Sequence, residues 1–212
     1  MNIPEYESYH EQKSHFDAAF PYNTYLCSIP LDFMQVPLHW HDEIEFIYIK
    51  KGVGTIAVDF VSYDVHADDI VLILPGQLHA ISEFPGQSME YENIIFHPCL
   101  LESSGTDNSY HTFLQPLLAM QLACPQILTK KDSAYTTVRS CLDKNDNICM
   151  SFPGGYPLAI RGNLFMLFFA LYTTYSEQKR NPSNRKKHRK TQICHQIRGA
   201  ELSDADEHRS DG

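Results

Sequence analysis

The chain has 212 residues, 43% of them apolar and 20% charged, with a formal net charge of −9; that is enough for one domain with a full core, and it excludes a fibrous or wholly disordered class. Residues 1–178 carry eight Lys/Arg against 21 Asp/Glu, a net of −13, whereas the last 34 carry nine against five, a net of +4. An acidic body repels phosphate, so the globular part is a poor nucleic-acid binder by itself.

The first seven residues are acidic and polar, unlike a secretory signal with its basic start and apolar stretch. Cys27, Cys99, Cys124, Cys141, Cys149 and Cys194 are scattered, with no Cys-x-x-Cys pair, and read as reduced thiols of a cytoplasmic protein. The most apolar run, residues 164–171, is eight residues long, well short of the roughly 20 that a membrane span needs. No membrane partner is expected.

From Tyr25 to about His97 the sequence breaks into short β-branched and aromatic runs separated by Gly, Asp and Pro. The expected strands are residues 43–49, 54–59, 61–66, 70–74, 78–83 and 89–96, a spacing that predicts an antiparallel β-barrel or sandwich. Lys50-Lys51-Gly52 reads as a turn, as does Gly52-Val53-Gly54. After Pro98 the periodicity becomes helical: residues 110–122, 133–142 and 158–176 are expected helices, the last two separated by Asn145-Asp146-Asn147 and the Pro153-Gly154-Gly155 turn. The last helix is apolar around nearly its whole circumference, so a second copy of the chain is expected to cover what the barrel leaves open. Residues 179–212 are basic, then polar, and read as a disordered tail.

His39, His41 and Glu45 form a His-x-His-x-x-x-Glu run, with a further His79 in Pro75-Gly76-Gln77-Leu78-His79. Alternate residues of a strand face the same way, so these side chains converge if the strand is continuous, with Glu43 behind them and Trp40, Asp42, Ile44 and Phe46 facing outward. Imidazole nitrogens and a carboxylate suit a divalent Zn, Fe, Mn or Ni ion. Such residues also occur as solvated groups at a barrel mouth. There is no Gly-x-Ser-x-Gly elbow and no phosphate loop of the Walker type.

The run from His39 to Gly52 resembles the first cupin motif, and Gly76-Gln77-Leu78-His79 the core of the second. Pro37-Leu38-His39-Trp40-His41, Ile47-Tyr48-Ile49-Lys50-Lys51-Gly52, residues 70–79 and Glu92-Asn93-Ile94-Ile95-Phe96-His97-Pro98 resemble the N-terminal sensing domain of AraC-type transcription regulators, and the likeness covers about residues 22–176. It implies a mainly β fold, a cupin-like antiparallel barrel over residues 22–98 followed by a C-terminal helical dimerisation hairpin over residues 99–178, with residues 1–21 as an arm over the barrel mouth. It further implies a small polar effector, a carbohydrate, held by His39, His41, Glu43, Glu45 and His79, a homodimer, and no catalysis. The alternative is a metal-dependent cupin enzyme, an isomerase or dioxygenase, with His39, His41, Glu45 and His79 on the ion. DNA would be gripped only by a C-terminal helix-turn-helix region that this chain lacks, as in an excised sensing domain or a truncated gene product. Departures from the cupin pattern bear on the ion: Ala67 or Asp68 stands where the second motif begins with Gly, Leu74 where it has Pro, and Glu83 where it has Asn.

Overall fold

In the computed structural model, which describes residues 1, 3–13, 15, 16, 20–102 and 107–177, two antiparallel sheets share one long strand. The strands are β1 (Tyr22–Ile29), β2 (Gln35–His39), β3 (Ile44–Val58), β4 (Val61–His66), β5 (Ile70–Ile73), β6 (His79–Glu83), β7 (Met89–Phe96) and β8 (Ile127–Leu128). The helices are α1 (Ile3–Glu7), α2 (Gln115–Leu118), which prolongs a π-helical turn at Tyr110–Leu114, α3 (Tyr135–Cys149) and α4 (Tyr156–Tyr175).

The first half of β3 pairs with β7 and β5, giving a sheet in the order β1-β7-β3-β5-β8. Its second half, from Val53 to Val58, pairs with β4 and β6, and β6 pairs in turn with β2. Lys50-Lys51-Gly52 is therefore not a turn between two strands but a bulge inside one, with the register shifting between Ile49 and Lys51. Gly52 has φ +79°, and a Cβ there would lie 1.9 Å from the Ser88 carbonyl oxygen, so only glycine fits. The bulge turns β3 from one sheet to the other and so closes the barrel.

Ile29, Ile47, Ile49, Ile56, Ile73 and Ile81 fill the space between the sheets. The opposite face of the first sheet is apolar too, because α3 and α4 cover it: Phe46, Phe96 and Phe168 meet with ring centroids 6.4 Å apart. Strands buried on both faces read as unbroken apolar runs, which is why Ile70–Ile73 alternates with nothing. α4 buries Ile160, Leu164, Leu167, Phe168, Leu171 and Tyr175, a helical stripe in which each large apolar side chain contributes roughly 1.5–3 kcal/mol. The fold is mainly β, a cupin-like antiparallel barrel followed by a helical hairpin, as the sequence predicts.

Several boundaries differ from expectation. Strands β1, β2 and β8 are additional, and β8 pairs with β5, so the barrel sheet borrows a strand from beyond residue 98. Asn145-Asp146-Asn147 does not break a helix: it lies inside α3, where Asn145 is buried and accepts a hydrogen bond from Asn163 of α4 at 2.8 Å. Trp40, Ile44 and Phe46 do not face solvent. Ile44 and Phe46 pack beneath the helices, and Trp40 lies under α1. Among the described residues no helix is long and apolar enough to cross a membrane. The expected tail at 179–212 lies outside the described residues.

Candidate functional site

β2 ends at His39 and β3 begins at Ile44, so His39, His41 and Glu45 do not sit on one continuous strand as their spacing implies. They converge nevertheless, because the 40–43 connection is tied to the turn before β6, Gly76 N–H donating to the His41 carbonyl at 2.9 Å, and the cross-strand pair His39↔His79 brings the downstream histidine alongside. The ring centroids of His39, His41 and His79 lie 4.1–5.8 Å from one another, and one ring nitrogen from each falls within 4.8 Å of the others. Glu45 reaches the same place from β3, with Oε2 3.1 Å from His41 Nε2 and 2.9 Å from His79 Nε2. Glu43 stands behind His41, 3.5 Å from its Nδ1.

Two ring protons are placed by the backbone. His39 Nδ1 lies 2.8 Å from the Pro37 carbonyl oxygen and His79 Nδ1 lies 2.9 Å from that of Gln77. A carbonyl only accepts, so each Nδ1 carries a proton, and Nε2 of each ring is the atom turned towards the cluster. His79 Nε2 is buried, makes no aligned hydrogen bond, and sits against the Glu45 carboxylate. A bare nitrogen and a carboxylate repel at that distance, so the contact holds either a ring proton or a metal cation. Ligating histidines characteristically donate their other ring N–H to a backbone carbonyl, so the three histidines fit a divalent ion as a donor set, and His39 and His79 fit it in their second hydrogen bonds as well.

The electrostatics run the same way. Burial alone would raise the Glu45 carboxyl, but His79 and His41 beside it hold it well below the usual carboxylate range. Burial would lower His41, and the Glu45 contact reverses that and raises it. Burial pushes His39 down to about 4, reinforced by His79, so it is a neutral ring at physiological pH.

Beside this cluster lies a cavity of about 270 Å³ between the two sheets. His39, His41 and Glu45 line one end of it, while His79 is fully buried behind them. Val36, Ile81, Tyr91 and Ile95 supply apolar wall. Glu11, Lys13, His15, Tyr25, Gln35 and Asn93, polar residues that the sequence reading did not single out, also line it. The first three come from the N-terminal segment, which α1 clamps to the barrel. Tyr6 stacks on Trp40 with centroids 4.7 Å apart, Trp40 Nε1 donates to the Tyr6 carbonyl at 2.8 Å, and the Tyr6 hydroxyl donates to the Gly76 carbonyl at 2.8 Å. His10 bridges to Trp40, which delivers Glu11 to within 3.8 Å of His39 Nε2.

Residues 32–133 match the family model described as the AraC-like ligand binding domain, a span that holds β2–β8 and His39, His41, Glu43, Glu45 and His79. The chain's curated relatives include "Uncharacterized HTH-type transcriptional regulator YdeC" of Bacillus subtilis (strain 168), 32% identical over 83 residues, which are 39% of this chain and 28% of that protein. A second is "Uncharacterized HTH-type transcriptional regulator YdiP" of Escherichia coli (strain K12), 53% identical over 45 residues, 21% of this chain and 15% of the other. The chain thus matches less than a third of the length of either relative. Among solved structures it is similar to a cupin protein from Bacteroides fragilis, with 22% identity, 41% of this chain and 78% of that one covered, and a TM-score of 0.36. The cupin domain of Schizosaccharomyces pombe Cnp3 gives 13%, 42%, 65% and 0.36 in the same order. The strand pairing described above, rather than these scores, defines the fold.

Proposed function

We propose that this chain is the effector-sensing part of a cytoplasmic AraC-type transcription regulator, and that its cavity takes a small neutral, polyhydroxylated molecule, a carbohydrate. One observation supports this above the rest: the 270 Å³ cavity in the AraC-like domain mixes imidazole, carboxylate, phenol and amide groups with an apolar wall. Hydroxyls need such donors and acceptors at several angles, and the apolar face of a sugar ring packs on side chains such as Tyr91 and Val36. Glu11 and Glu45 line the cavity, and Lys13 is the one Lys or Arg among its lining residues, so a phosphorylated or carboxylated effector is disfavoured.

Residues 1–21 act in this reading as an arm whose seating on Trp40 depends on cavity occupancy, a population shift passed to a DNA-binding region supplied elsewhere. The test is calorimetric titration and thermal melting of the chain with neutral aldoses beside the matching sugar phosphates and uronic acids. A neutral aldose should raise the melting midpoint, with at least a tenfold loss of affinity in His39→Ala. Binding of the anionic set alone, or of none, overturns the carbohydrate reading.

The histidine cluster favours a second reading, a metal-dependent cupin enzyme. His39, His41 and His79 would hold the ion, with Glu45 beside it, and the ion would supply Lewis-acid or redox chemistry to a ligand in the cavity. Turnover of a bound sugar that chelation abolishes would establish it. Binding without turnover in metal-loaded protein leaves the sensing role.

A further inference from the structure

An unbroken line of hydrogen bonds crosses the cavity wall from the N-terminal segment to β7. Glu11 Oε2 lies 2.8 Å from His15 Nε2, His15 Nδ1 lies 2.9 Å from the Tyr25 hydroxyl, and Asn93 Nδ2 lies 3.3 Å from the same hydroxyl. His15 is held in place by Asn23, whose Nδ2 donates to the His15 carbonyl at 2.7 Å, and its ring stacks on Tyr25. The His15 side chain is 7% exposed, so water does not supply alternative partners freely.

The direction of this line is set at one end. A carboxylate only accepts, so His15 must present Nε2–H to Glu11. A neutral imidazole has one N–H, so His15 Nδ1 is then an acceptor, and the Tyr25 hydroxyl hydrogen points to it. The Tyr25 oxygen is left to accept, which the Asn93 amide satisfies with its NH₂ group. Asn93 therefore cannot flip, and its Oδ1 is the leftover atom: buried, beside the cavity, and without a hydrogen-bond partner. A buried acceptor left unpaired is unfavourable, and a ligand hydrogen placed there would satisfy it.

We propose that Glu11, acting through His15 and Tyr25, orients the Asn93 amide and fixes Asn93 Oδ1 as an acceptor in the cavity wall, making Asn93 a specificity-determining residue for ligands that bring a hydroxyl or amine hydrogen there. Glu11 and His15 are positioning residues in this scheme. The ligand preference rests on the cavity being the effector site, but the orientation of the line does not.

Long-range ¹H–¹⁵N spectra of the histidine rings and Asn side chains, recorded on the full chain without ligand at pH 8, above the ordinary imidazole value of about 6.5, read that orientation directly. His15 is expected as the pure Nε2–H tautomer. Glu11→Gln, whose amide can donate or accept, should convert it to averaged ring-nitrogen shifts. Tyr25→Phe should leave the His15 tautomer unchanged while the Asn93 NH₂ resonances move and exchange faster. A parent His15 that is Nδ1–H or doubly protonated overturns the proposal, because Tyr25 would then be free to donate to Asn93 Oδ1. So does a Glu11→Gln spectrum with the tautomer intact, or a Tyr25→Phe spectrum with the Asn93 signals unmoved. Failure of every sugar to bind would remove the carbohydrate reading without touching these spectra.

Discussion

At the scale of single residues, the paired demands of His79 and Glu45 are what most need explaining. His79 is wholly buried, its Nδ1 proton is committed to the Gln77 carbonyl, and its Nε2 lies 2.9 Å from a carboxylate held in its charged form. A divalent ion would take the place of the proton in that contact, and zinc titrated into chelator-treated protein should saturate at one ion per chain. His79→Ala should weaken it at least tenfold, since even outer hydrogen-bond partners of metal ligands carry 10- to 100-fold effects. Isothermal calorimetry that shows no saturable zinc uptake would rule the ion out. This part of the site was legible in the sequence, because His39, His41 and Glu45 share parity and His79 follows a Pro-Gly turn. Glu11, His15, Tyr25 and Asn93 were not. No local spacing links them, and they meet only because an arm, β1 and β7 come together in three dimensions.

At the scale of elements, β3 shows where local signals mislead. Lys50-Lys51-Gly52 has turn composition, yet fifteen residues run on as one strand, since both halves find partners and a bulge costs less than ending the ladder. The glycine was a correct signal for a positive φ, and only the element built around it was misread. Gly52→Ala should destabilise the chain by about 2 kcal/mol or more, from the left-handed φ and the clash with Ser88, measurable as a lowered urea midpoint. An unchanged midpoint would mean that the Ser88 loop yields freely. Strand β1 escaped notice for a different reason: it exposes Leu26 and buries Cys27 and Ile29, so its polar-apolar alternation is irregular. The seating of α1 offers a further check, because Trp40 is the chain's single tryptophan. Tyr6→Ala removes the stacked ring and the bond to Gly76, and Trp40 emission should shift to the red and become quenchable by iodide while far-ultraviolet dichroism is kept. Emission identical to the parent would show that the arm stays down without Tyr6.

At the scale of the whole molecule, the helical hairpin divides its apolar surface in two. One stripe of α4 is sealed against the barrel, as helical periodicity requires, while Phe165, Met166 and Phe169 on the other side remain open, Phe169 to 60%. With Phe113 and Tyr172 they border an almost wholly apolar groove of about 460 Å³. The sequence showed that one face would not suffice, since the run is apolar all round, but not which residues the barrel would take. That depended on the register of Phe168 against Phe46 and Phe96. Exposed apolar area of this extent is costly in water, and an isologous pairing of two such faces buries it while leaving both cavity mouths free. Sedimentation at micromolar concentration should therefore give a dimer. Phe169→Asp places a charge in that interface without touching the barrel core, so it should yield a monomer with unchanged dichroism and unchanged sugar affinity. A parent chain that sediments as a monomer removes the pairing, and a Phe169→Asp chain that stays dimeric moves the interface away from α4.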